Sequence, residues 1–151
     1  MKIRIYLDNC CYNRPYDDQQ QLRVFLETQA KLHIQQLVLE KELELVCSFI
    51  LRYENDENPD ISNRDSIARF FVNASIYVGN KNIDNIRLIA SEIMKQGIKM
   101  KDAAHLACAI ISECDYFITT DDKLLKKYNG SKIKIRTPIT LLDDLEDEIN
   151  A

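Results

Sequence analysis

Apolar positions along this chain alternate between short continuous runs and longer stripes at helical spacing, and that alternation predicts strands separated by helices. Ile3, Ile5, Tyr6 and Leu7 make residues 2–7 a first strand, which stops at Asp8. After Pro15, the positions Leu22, Phe25, Leu26, Leu32, Ile34, Leu37 and Leu39 recur close to helical spacing. Asp17 or Asp18 is placed to cap this helix, and residues 28–30 allow a break into two. Residues 43–47 read as a second strand, and Ser48 then stands as the N-cap of a helix carrying Phe49, Ile50, Leu51, Tyr53 and Glu54. That helix must end before Pro59, because the residue before proline is pushed out of helical geometry.

A helix over residues 63–74 has Ile67, Phe70 and Phe71 on one side. The stripe Ile83, Ile86, Ile89 or Ala90, and Ile93 predicts another, stopped by Gly97. Residues 103–111 are apolar almost all round, as in a helix buried against a sheet. Short strands follow at 116–119 and 133–135, and Pro138 opens a final amphipathic helix with Ile139, Leu141, Leu142 and Leu145. The pattern, with no internal repeat, is that of an α/β domain on a mostly parallel sheet. Three glycines, three prolines and no linker-like stretch in 151 residues make 1–151 a single domain.

Composition narrows the class. Hydrophobic residues at 46% and charged residues at 29% exclude a disordered chain, and the longest apolar run is about half of a bilayer span. Without a secretion-signal core near the N-terminus, the expectation is a cytoplasmic protein that does not enter a membrane. Five cysteines, Cys10 and Cys11 adjacent and none in a Cys-x-x-Cys pair, argue against a disulfide framework or structural zinc. The net charge of -4 gives no global basic signal, so a polyanion would need a local basic face or bound cations.

Four acidic positions sit at element ends or inside apolar segments: Asp8, Glu54, Asp102 and the pair Asp121 and Asp122. Each has an ordinary explanation: a turn for Asp8, a solvated helix face for Glu54, first-turn or capping roles for Asp102, Asp121 and Asp122. Together they suggest more. Ligands of parallel sheets gather beyond the carboxyl ends of the strands, and carboxylates converging there repel one another unless a divalent cation neutralises them. Mg²⁺ and Mn²⁺ prefer such oxygen ligands and activate water for attack on a phosphodiester. There is no Gly-rich phosphate loop and no Gly-x-Ser-x-Gly elbow. His33 and His105 lack a second ligand at metal-binding spacing and read as structural.

In order, "IYLDN", "SFILRYE", "MKDAAHLACAI" and "CDYFITTDDKLLKK" resemble the motifs of PIN-domain ribonucleases, the family that includes toxins of bacterial type II toxin and antitoxin pairs. The resemblance spans nearly the whole chain, including the closing "IRTPITLLDDL". It implies a three-layer α/β/α sandwich with a central, mostly parallel sheet of four or five strands. By position, Asp8, Glu54, Asp102 and Asp121 match the family's acidic quartet, with Asp122 as the second candidate for the last place. Asp8, Asp102 and Asp121 or Asp122 would hold Mg²⁺ or Mn²⁺ for cleavage of RNA to a 5′ phosphate and a 3′ hydroxyl. Similarity also implies a homodimer and, for a toxin, a small antitoxin partner.

One departure is Cys10, where the family has a small polar residue; Asn9 or Asn13 then supplies the polar group, and Thr119, two places before Asp121, is a further candidate to support the acidic residues. Lys123, Lys126, Lys127, Lys132, Lys134 and Arg136 cluster past the fourth acidic site and, with Arg14, are candidates for RNA phosphates. Two alternatives remain: a PIN-like module that binds RNA or protein without cutting, and a metal-dependent phosphatase. The latter lacks an Asp-x-Asp nucleophile signature after the first strand.

Overall fold

The structure, a computed structural model, describes residues 2–150, with side chains described through residue 148. Five strands, β1 (Ile3–Leu7), β2 (Leu43–Ser48), β3 (Ile76–Val78), β4 (Tyr116–Ile118) and β5 (Lys134–Arg136), form one sheet in the order β3-β2-β1-β4-β5. Every pairing is parallel. β1 lies in the middle, with Ile5 beside Leu45 on one side and Tyr116 on the other. Covered on both faces, it buries Ile5, Tyr6 and Leu7 completely, and so its consecutive positions are apolar rather than alternate ones.

Eight helices cover the sheet in a three-layer α/β/α arrangement: α1 (Asn9–Asn13), α2 (Leu22–Leu39), α3 (Phe49–Asp56), α4 (Ile61–Phe71), α5 (Ile83–Met94), α6 (Met100–Ile111), α7 (Asp122–Lys127) and α8 (Pro138–Asn150). α2 packs with α8, and α5 with α6. α6 earns its central place by size: Ala103, Ala107 and Ala109 let it lie close to β2 and β4, and Leu106 and Cys108 fill the gap, all fully buried. Ser48 caps α3 as its sequence position predicts, accepting from Leu51 N at 3.2 Å.

Several local expectations are corrected. α2 is unbroken, and its N-cap residue, Gln21, makes no side-chain cap. Asp17 instead takes a hydrogen bond from Arg14, and Asp18 one from Gln20 N, so both are spent on the turn before the helix. The face of α2 is largely reversed: Leu22, Phe25, Leu26, Leu32 and Leu39 are exposed, whereas Val24, Glu27, Thr28, Ala30, Lys31, Ile34 and Val38 are buried. α4 starts earlier, at Ile61, and its N-cap Asp60 accepts from Asn63 N. α6 starts at Met100, which puts Asp102 inside its first turn. The short helix α1 and the three-residue edge strand β3 have no counterpart in the sequence reading. Residues 1 and 151 of the expected domain lie outside the described residues.

Candidate functional site

The chain runs from β1 to β2 and β3 on one side, then crosses to β4 and β5 on the other, so the carboxyl ends of β1 and β4 bound the crevice where the winding reverses. Leu7 is in register with Ile118, which brings Asp8 and Thr119, the next residue on each strand, side by side. Asp8 N donates to Ile118 O at 2.9 Å, and Thr119 Oγ1 donates to Asp8 Oδ2 at 2.9 Å. The other carboxylate oxygen of Asp8 accepts from Asn9 N at 2.8 Å and caps α1. Asp8 is thus both the turn residue and a fixed, buried carboxylate.

Three further carboxylates reach the same cleft. Glu54 comes from α3, Asp102 from the first turn of α6, and Asp121 from the N-cap of α7, where its Oδ1 accepts from Lys123 N and Leu124 N. Together with Asn9, Cys10, Asn13, Asp17 and Lys101 they line a cavity of about 360 Å³. The structure therefore brings Asp8, Glu54, Asp102 and Asp121 together from four separate elements.

The cleft carries surplus negative charge. Burial pushes the Asp8 carboxyl well above its usual range, with Cys10 and Asp102 adding to the rise and His105 and Thr119 opposing it. Burial also raises Asp102, as do Asp121 and Glu54, against His105 and Lys99. Among the described residues, no three His, Cys, Asp or Glu side chains are drawn into a ready-made ligand cage. The donor set nonetheless suits a hard divalent cation: it consists of carboxylate oxygens, and burial and neighbouring acidic groups raise two of the carboxyls above the usual carboxylate range.

Not every expected residue is in the cleft. Asp122 is exposed and turned to Arg23, which donates to it through Nη1 at 2.7 Å and Nη2 at 2.9 Å; that pairing holds its carboxyl below the usual range. Arg14 is likewise committed, to Glu27 at 2.6 Å and to Asp17 at 3.1 Å. Lys123 and Lys127 border a shallow depression shared with Asp102 and Asp121, and Lys127 Nζ donates to Gly97 O; Lys126 is exposed on α7. Asn13 Nδ2 donates to Asn9 O, and Asn13 Oδ1 accepts from Asn58, so both asparagines brace the cleft wall. Cys10 Sγ lies 3.5 Å from Asp8 Oδ2 and 3.4 Å from Thr119 Oγ1 and accepts from Thr120 N, filling the space between the two strand ends.

The sequence reading missed how Glu54 is held. His105, buried on α6, bonds Glu54 through Nε2 and Tyr6 through Nδ1, and Tyr6 Oη is 2.7 Å from Ser48 Oγ. Burial keeps the Tyr6 phenol protonated. Tyr6 then donates to Nδ1 and His105 donates from Nε2 to Glu54, a chain that runs from the core to the cleft. Its one sequence signal is spacing: His105 stands three residues after Asp102, on the same side of α6.

No family model and no curated protein matches the chain. Among solved structures it is similar to the crystal structure of PAE2754 from Pyrobaculum aerophilum, with a TM-score of 0.54 and 15% identity over 97% of this chain and 99% of that one. At this identity the likeness is one of fold. Among the described residues no helix is long and apolar enough to cross a membrane.

Proposed function

We propose that the protein is a metal-dependent ribonuclease of PIN type. The observation that carries this reading is the convergence of Asp8, Glu54, Asp102 and Asp121 on one cleft at the reversal of the sheet. A bound Mg²⁺ or Mn²⁺ would supply charge neutralisation and an acidified water at that place. Asp8, Asp102 and Asp121 are the residues suited to hold it. Thr119 holds Asp8 in one orientation, and His105 does the same for Glu54, leaving the second oxygen of Glu54 toward Lys101 at 3.9 Å to orient or deprotonate water. Lys101, Lys123 and Lys127 on the rim offer positive charge to RNA phosphates beside the scissile one. A cytoplasmic location, a homodimer and an antitoxin partner belong to the same reading.

Cleavage of mixed RNA in Mg²⁺ or Mn²⁺, abolished by EDTA and by Asp8→Asn and Asp102→Asn, is the expected result. A second reading, RNA binding without cleavage, is favoured by Cys10, whose thiol stands against Asp8 where the resemblance implies a small polar residue. Saturable RNA binding with no cleavage at any divalent cation concentration would establish it. Turnover of a phosphomonoester far faster than RNA would instead make the protein a phosphatase.

A further inference from the structure

Away from the cleft, the buried face of α2 presents a lysine where a packing residue is expected. Lys31 is 5% exposed, and among the described residues no carboxylate lies within ion-pair distance of it. The natural partner one turn earlier, Glu27, is already taken by Arg14 at 2.6 Å and Arg23 at 3.4 Å. Cys11 is the acidic group that bears on Lys31, and burial keeps that thiol protonated.

What surrounds the ammonium is aromatic. Nζ stands 5.5 Å from the ring centre of Tyr12 and 5.9 Å from that of Phe70. Two ring faces stabilise a cation but accept none of its three N–H bonds in the way an oxygen does. Lys31 lines a cavity of about 160 Å³ between α1, α2 and α4, walled also by Tyr12, Tyr16, Gln35, Ser66 and Phe70. A buried cation without a counter-charge is costly, and burial already draws the amine down to about 8. The cavity is where the missing charge fits.

We propose that this cavity is a small-oxyanion site, in which Lys31 supplies the charge, Ser66 and Gln35 supply neutral hydrogen-bond donors, and the rings of Tyr12 and Phe70 wall the site. The cavity has room for a phosphate or a short-chain carboxylate beside the Lys31 ammonium. The site stands apart from the carboxylate cleft, so it holds whether or not the protein cuts RNA.

The test is an NMR titration of the wild-type protein with sodium acetate and with inorganic phosphate, against sodium chloride at matched ionic strength. Saturable shifts at Tyr12, Gln35 and Ser66 with acetate, phosphate or both are expected, and which of the two saturates first tells carboxylate from phosphate. Lys31→Met, close in volume, should abolish them, and Ser66→Ala, which keeps the charge, should weaken binding several-fold. Shifts that never saturate, that chloride reproduces, or that persist in Lys31→Met would overturn the proposal. Should Lys31→Met fail to fold, Ser66→Ala and the chloride control decide alone, since an unchanged affinity in Ser66→Ala would also overturn it.

Discussion

The protein buries carboxylates in two places and treats them in opposite ways. On α2, Glu27 is 2% exposed and answered by two arginines, Arg14 at 2.6 Å and Arg23 at 3.4 Å. In the cleft, Asp8 is 7% exposed, and burial pushes its carboxyl up, with Cys10 and Asp102 adding to the rise. The first carboxylate has its counter-charge built in and binds the turn before α2 to the helix. The second is held by hydrogen bonds alone, with its charge left for something from outside. Paired burial reads as architecture and unpaired burial as a site.

Neutralising the unpaired carboxylate should have the largest effect, and on activity alone. Asp8→Asn is expected to lower RNA cleavage more than about a thousandfold, the range that loss of one member of a catalytic set costs, while the thermal midpoint measured without divalent cations does not fall. A midpoint that collapses instead would make Asp8 architectural, like Glu27. The converse is Glu27→Leu, which leaves Arg14 half-answered by Asp17; it should cost about 3 kcal/mol in urea melts and leave the rate per folded molecule intact.

Thr119→Val removes the bond that orients Asp8 and should reduce cleavage about tenfold, as loss of a partner behind a ligand does. Cleavage equal to wild type would show that Cys10 and Asn9 N suffice to hold the carboxylate. The pH dependence follows from the direction of the shifts. Asp8 and Asp102 bind protons more tightly folded than unfolded, so their contribution to stability is full below the ordinary 3.8 and is lost as pH rises through their raised folded values. Metal-free protein should therefore lose stability as pH climbs from about 4 toward neutrality, Asp8→Asn should lose less, and added Mg²⁺ should restore it. The smallest effect belongs to Asp122→Ala. Because Asp122 pairs with Arg23 at the surface, neither the cleavage rate nor the midpoint should change measurably.

How far the chain could be read differs from one helix to another for the same physical reason. α6 is legible because it leaves no choice: Ala103, Leu106, Ala107, Cys108 and Ala109 cover nearly its whole circumference, and such a helix can only be central. α2 is not, since leucines occupy one side and Val24, Ala30, Ile34 and Val38 the other. The side that turns inward carries Glu27, and the arginine that answers it, Arg14, lies outside the helix. Likewise Asp121 and Asp122 both fit the threonine-x-aspartate spacing. The choice falls to Arg23, a residue 99 positions away that only the folded chain brings near. β3 escapes notice because three residues with Val78 alone buried carry no periodic signal.

The sheet order also sets a timetable. β1 is made first, but its second neighbour, β4, is more than a hundred residues downstream. On a ribosome that has delivered β1, β2 and β3, one flank of the central strand still shows unpaired N–H and C=O groups, a template for the wrong chain. Asp8 at that stage has no Thr119 to orient it and no Asp121 to face. The cleft is complete only when synthesis has passed residue 121, so a truncated or stalled chain is an aggregation risk that lacks the full set of carboxylates.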